Sequence, residues 1–279
     1  FLGSKLPQAE QAITTVFFAL AMWGPGIAAV VVTKVIAGRP LGDLGLGRLG
    51  PRRFYLWAWL LPPLLAVTTG AVTLLFGFGK FDPGFSAIRE ALAQAPGGNA
   101  IPPAAVVGLQ VLLALTLAPF FNVLFALGEE LGWRAFLLPR LLPLGQWKAI
   151  VLTGLIWGLW HAPAILQGLN YPEHPVAGVG MMMVFTTLLS VIFSWLYLNT
   201  GSPWAPALAH GSVNASAGLA VLFLRPDLDL ALGGTLASVS GWVGMTLFVG
   251  WLVVTRRLPV RVGRGTTPRS GSEAGEVEG

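Results

Sequence analysis

Seven polar or aromatic residues stand at helical spacing in an otherwise apolar stretch of this chain: Glu129, Glu130 and Arg134, then Trp157 and His161, then His210 and Asn214. Residues four apart share one face of a helix. That joins Glu130 with Arg134, Trp157 with His161, and His210 with Asn214, while Asn122, seven before Glu129, points the same way as Glu129. Two neighbouring carboxylates in a low dielectric cannot both ionise cheaply, so they are expected to take different roles. Arg134, one turn on, is placed to neutralise Glu130. Glu129, about 100° round the helix, is left to face a histidine from another segment. A carboxylate and an imidazole holding a water between them can take its proton and pass it on, which is general acid and base work. His210 and Asn214 can each offer an N–H to a common point, and such a pair suits a developing oxyanion.

The surrounding chain must place these groups inside a membrane. Of its 279 residues 54% are hydrophobic and only 10% charged, against about 25% charged in an average soluble domain. An ordinary cytosolic globule is excluded. Seven segments carry roughly 20 mostly apolar residues, enough to cross a hydrocarbon core: Ala12 to Ala37, Phe54 to Phe76, Ala104 to Leu141, Ala149 to Gln167, Val176 to Leu198, Trp204 to Leu224 and Leu232 to Val254. The third is too long for one straight crossing, and Pro119 is expected to kink or split it, which leaves room for an eighth partial span. The expectation is thus an all-α polytopic bundle of about seven to eight spans in one transmembrane domain, 1–262, with its catalytic core at about 104–224. The first segment is too long for a signal-peptide core. Because the chain begins with Phe1, an upstream piece, with room for its own span, is expected.

Lysine and arginine set the orientation, because cytoplasmic loops retain them. Lys34, Arg39, Arg48, Arg52 and Arg53 share one loop, Arg140 and Lys148 another, and Arg256, Arg257, Arg261, Arg264 and Arg269 the tail. All three regions read as cytoplasmic, and the alternate loops, around Lys80 to Glu90, Glu173 and Asp227 to Asp229, read as external. From about Gly263 the chain is rich in Gly, Ser, Thr and Glu, so 263–279 is expected to be a disordered cytoplasmic tail. Measured from cytoplasmic ends at the helical rise, Glu129, His161 and the His210 to Asn214 pair lie about 10 to 20 Å deep, which would let them meet in one cytoplasm-facing intramembrane cavity. Ionisable groups at such depth cost several kcal/mol and usually have a functional reason. Gly128 with Gly132, and Gly154 with Gly158, have the spacing that would let the two catalytic helices approach closely.

In order and spacing, Glu129 to Arg134 matches EExxxR, Trp157 to His161 is similar to FxxxH, and His210 to Asn214 matches HxxxN. With these motifs the chain resembles the CPBP family of CAAX proteases and bacteriocin-processing proteins, intramembrane glutamic endopeptidases that include the Ras-converting prenyl endopeptidase, over about residues 120 to 220. The resemblance implies peptide-bond hydrolysis by a water that Glu129 and His161 activate, an oxyanion site at His210 and Asn214, and support from Glu130 and Arg134. Trp157 stands where the family usually has Phe, so the pocket is expected to change shape and keep its aromatic wall. The implied substrate is a prenylated CAAX peptide or another membrane-associated peptide or lipidated protein.

Other chemistries use the same inventory less well. Glu129, His161 and His210 could in principle ligate zinc, but HExxH is absent and a supporting arginine and an asparagine fit the glutamate–water mechanism better, so no cofactor is expected. All four aspartates fall in loops and there is no cysteine, which removes an aspartyl dyad, thiolate zinc sites and a thiol nucleophile. Among serines only Ser212, near His210, has a paired base in reach, and it leaves Glu129 unexplained. A proton-coupled transporter could use the same acid and histidine groups, although no inverted repeat supports it. The net charge of +5 forms no continuous basic face, so nucleic acid is not an expected partner. The Gly, Ala, Arg and Trp richness points to the cytoplasmic membrane of a prokaryote. Oligomeric state is open.

Overall fold

The computed structural model describes residues 20–260 together with Val16; the expected tail over 263–279 and the opening of the first apolar segment lie outside the described residues. The longer packed helices are α1 (Gly24–Val31), α2 (Arg53–Leu75), α3 (Pro103–Leu115), α4 (Leu117–Glu130), α5 (Gln146–Trp160), α6 (Pro175–Thr200), α7 (Trp204–Ser216) and α8 (Val239–Val254). Among the described residues there is no strand, only the single bridge between Phe81 and Leu224. The chain is all-α. By length and apolar composition α2 and α6 can each cross a membrane, and the pair α3 and α4, bent by 53°, counts as a third if taken as one span. The remaining apolar segments are held as shorter or broken helices.

Those breaks have identifiable causes. The expected kink in the third segment falls at Thr116, three residues before Pro119, since proline cannot donate to the carbonyl four residues back and crowds it. That carbonyl is Leu115's, and the indole of Trp59 on α2 donates to it at 2.9 Å. Pro63 in α2 frees the carbonyl of Trp59 in the same way, and the Ser212 hydroxyl on α7 donates to it at 2.8 Å. In a bilayer each freed carbonyl must find such a partner, because water is absent. Ser212 is thereby committed to a backbone carbonyl, which leaves the serine mechanism without its nucleophile. Pro163 ends α5 at Trp160 by the same rule, and the chain turns at His161 before the short helix Ala162–Ile165. The helices that carry the motifs are the broken ones, and α2 and α6 run unbroken beside them.

Both glycine pairs do admit close approach, but to other helices than expected. A Cβ at Gly128 would fall 2.7 Å from the carbonyl oxygen of Met22, and one at Gly132 would fall 2.4 Å from Pro25, so this stripe seats the α1 region. Gly154 and Gly158 lie against α6, where Thr186 and Ser190 donate to the carbonyls of Gly154 and Ile150 at 2.9 and 2.8 Å. Gly158→Ala would drive a methyl to 2.5 Å from the Met183 Cα, and is expected to destabilise the bundle by about 1 to 3 kcal/mol. Gly180→Ala, which meets nothing within 4 Å, is the control and should be neutral or slightly stabilising, both read as melting in detergent.

Loops gather at two ends. At one end Tyr55 donates to the Leu49 carbonyl at 2.8 Å, Trp204 to that of Leu46 at 2.9 Å, and Gln146 accepts from the Val260 amide at 2.7 Å. At the other, His174 meets Asp229 at 3.0 Å and the Tyr171 hydroxyl donates to the Ala237 carbonyl at 2.7 Å. Between them, Leu56, Leu60, Leu64 and Val67 form an exposed apolar stripe on α2, while Ala58, Leu61, Leu65 and Ala66 are buried against the bundle. A helix apolar on both faces belongs in lipid.

Candidate active site

Glu129 closes the last turn of α4 and is 3% exposed. One of its carboxylate oxygens, Oε2, accepts hydrogen bonds from two indoles: Trp157 Nε1 at 2.5 Å and Trp133 Nε1 at 3.2 Å. Among the described residues Oε1 has no protein donor, and it is not one of the sealed, unpartnered polar atoms. The carboxylate is held by one edge, and its other oxygen takes no hydrogen bond from a described residue. Indole is a donor only, so the clamp fixes orientation without competing for a proton.

Glu130, fully buried, takes a different set of partners. Its Oε1 accepts from Arg134 Nη1 at 3.0 Å and from His210 Nδ1 at 2.8 Å. Because the carboxylate accepts, His210 Nδ1 carries a proton, and Nε2 is turned to whatever lies beyond. Glu130 pairs with Arg134, as their spacing implies; the carboxylate expected to face a histidine is Glu129, with His161, while His210 is expected beside Asn214. Among the motif histidines, His210 is the one in direct contact with a carboxylate, that of Glu130. Arg134 is 0% exposed. Its guanidinium lies 4.4 Å from the Trp157 ring centre and 5.0 Å from that of Phe193, packed against both of two adjacent rings whose own centres are 5.9 Å apart.

Trp157 is where the motifs meet. Its indole N–H is on Glu129, its face is on Arg134, its ring centre is 5.3 Å from that of His210, and its carbonyl accepts from His161 Nδ1 at 2.9 Å. A carbonyl can only accept, so His161 also carries its proton on Nδ1 and leaves the Nε2 lone pair free in the neutral ring. Asn214, one turn beyond His210, is exposed on α7. Asn122 donates to the Gly211 carbonyl at 3.2 Å and so ties α4 to α7. A Cβ at Gly211 would lie 2.5 Å from the Pro119 carbonyl oxygen, and that bare contact lets the two helices approach beside His210. Directly after Glu130 the backbone widens into a π-helical stretch, Leu131–Leu137, which carries Trp133 and Arg134. Such insertions shift which side chains share a face and recur at functional sites.

A zinc site fits this donor set poorly. The ligand atoms of Glu129, His161 and His210 do not gather within 4.8 Å of one another; among the described residues the trio that does is Glu173, His174 and Asp229, in the loops. Within the cluster, Glu129 Oε2 is already occupied by two indoles and Glu130 by a guanidinium.

Residues 109–216 match the family model described as Type II CAAX prenyl endopeptidase Rce1-like. This segment is similar to CAAX protease family domains. No curated protein matches the chain. The matched segment runs from within α3 to the last residue of α7 and takes in every motif residue, and the membrane-length helices α2 and α6 stand beside the motif helices. Two neighbours of this cluster were not singled out from the sequence. Trp133 lies inside the EExxxR stretch, one turn after Glu129, and its spacing could have marked it. Phe193, an apolar residue in an apolar helix, gave no signal.

Proposed function

We propose that the protein is an intramembrane endopeptidase in which Glu129 and His161 activate water and His210 with Asn214 stabilise the oxyanion. The observation that carries this reading is the gathering of four motif residues around Trp157: Glu129, His210 and Arg134 on its side chain, and His161 on its backbone carbonyl with the two rings 6.0 Å apart. Water placed at Glu129 Oε1 loses a proton to the carboxylate as its oxygen bonds the scissile carbonyl carbon. The carbonyl oxygen, now negative, is met by Asn214 and by Nε2 of His210, whose ring enters and leaves the cycle doubly protonated with Glu130 as its counter-charge. The C–N bond then breaks, and the proton taken from water reaches the leaving amine through the His161 lone pair. Glu130 and Arg134 support the site, and Trp157 orients Glu129.

The basic end of the bundle, where Arg53, Lys148 and Arg256 lie, is the cytoplasmic end by the positive-inside rule. The chain then crosses the cytoplasmic membrane of a prokaryote about seven to eight times, and the site opens to the cytoplasm. Its substrate is a peptide that lies in or on the bilayer, with a prenylated CAAX terminus as the leading class by family likeness. The test is cleavage in proteoliposomes of a lipidated reporter peptide, analysed by mass spectrometry, with exhaustive chelation as a second arm. Cleavage that persists after chelation is expected. Activity lost to chelation and restored by zinc would replace the mechanism with a metal one, and proton or solute flux without proteolysis would replace the enzyme with a transporter.

A further inference from the structure

A cavity of about 750 Å³ opens at the basic end of the bundle, between the starts of α2 and α5, the end of α6 and the segment that follows α8. It is separate from the Trp157 cluster: Trp147 on its wall is ten residues from Trp157 along α5, or about 15 Å at the helical rise. Arg53, Arg256 and Arg257 line it and no carboxylate does. None of the three is ion-paired among the described residues. Unopposed arginines around a concave site offer planar forks of donors that suit phosphate oxygens.

The wall is built, not incidental. After α8 the chain reverses at Arg256, whose φ of +55° is a left-handed conformation that non-glycine residues seldom adopt. The reversed segment is pinned by Gln146, which accepts from the Val260 amide at 2.7 Å and donates to its carbonyl at 3.2 Å. Leu258 is buried beneath it. Beside the arginines lies an aromatic cluster: Trp57 has its ring centre 6.0 Å from that of Trp195 and 5.6 Å from that of Trp251, and Arg257 sits 4.6 Å from the Trp251 ring centre. Both membrane-length helices end here, α2 at Arg53 and α6 at Thr200. A tryptophan girdle at that level marks the headgroup region. The cavity therefore faces the layer where lipid phosphates lie, with exposed apolar side chains, Trp57 and Val253, below it.

We propose that this cavity binds the phosphate of an anionic lipid, with the arginines on the phosphate and an acyl chain along Trp57 and Val253. The proposal is independent of the peptidase reading. The full chain in neutral detergent is examined by native mass spectrometry with equal amounts of phosphatidylglycerol and phosphatidylcholine, with inorganic phosphate as a third arm. Phosphatidylglycerol adducts should exceed phosphatidylcholine adducts by about tenfold or more, since each basic residue near a lipid surface contributes appreciably. The variant R53Q/R256Q/R257Q should erase that preference, and R52Q, an exposed arginine next to the site but outside its wall, should keep it. Equal binding of the two lipids by the wild type, or an unchanged preference in the triple variant, overturns the proposal. So does displacement of the lipid by millimolar inorganic phosphate, which would make the ligand a soluble anion. The wild-type selectivity is read without any variant, so a folding defect in the triple variant cannot mask the answer.

Discussion

Glu129→Gln is expected to lower cleavage of a lipidated reporter by about 10² to 10⁴, the range for loss of a positioned general base, with little change in melting. Glutamine keeps the size of the side chain, and its amide oxygen can still accept from Trp133 and Trp157. What it loses is the ability to take a proton at the oxygen no indole occupies. A fall of this size in kcat with KM little changed would mark an interaction made in the transition state. Trp157→Phe is the informative companion. It restores the aromatic residue usual in the family but removes the indole that donates to Glu129 Oε2. About a tenfold loss is expected from one hydrogen bond to a charged group. If Glu129→Gln cleaves as well as wild type, Glu129 is not the base.

The position of Trp157 shows where sequence reading stopped. Spacing placed Trp157 and His161 on one helix face, and an aromatic wall was all that residue type could suggest. Which of two adjacent carboxylates an indole from another helix would reach depends on how α4 and α5 are held apart by their glycine contacts. Those contacts were legible as small residues and not as partners. Gly128 and Gly132 seat the region of Met22 to Pro25, and Gly154 and Gly158 seat α6, because helix order in space is set by the sum of packing faces and not by any one pair. The Glu130–Arg134 pair, by contrast, was local, four residues apart on one helix, and was found as expected.

The lengths of the elements carry a similar lesson. Val176 to Leu198 and Phe54 to Phe76 were drawn as single apolar runs and appear as α6 and α2 almost residue for residue. Trp204 to Leu224 was drawn the same way, yet α7 stops at Ser216 and a short 3₁₀ turn, Leu219–Phe223, completes the run. Hydrophobicity counts residues and cannot see that the chain must bend after delivering His210. The Pro119 kink was anticipated, but its place at Thr116 depends on Trp59 being there to receive the freed Leu115 carbonyl.

Arg134→Ala should be the most destabilising single change in the site, by about 3 to 5 kcal/mol, the cost of stripping one partner from a buried ion pair. Glu130 would keep only His210, its Oε2 already lacks a donor among the described residues, and the space the guanidinium fills beside Trp157 and Phe193 would stand empty. Arg134→Lys should recover part of the loss, because an ammonium restores the charge but cannot lie flat against an aromatic ring. The double variant Glu130→Gln with Arg134→Met removes both charges and fills the space beside the two rings, so it should be more stable than Arg134→Ala alone. It should remain inactive, since His210 would have lost the carboxylate that fixes its tautomer and balances its charge. Denaturant titration in detergent and reporter cleavage, run on the same preparations, separate the two effects. Stability within about 0.5 kcal/mol of wild type for Arg134→Ala, the range of an ordinary surface change, would show that the guanidinium does not hold the site together.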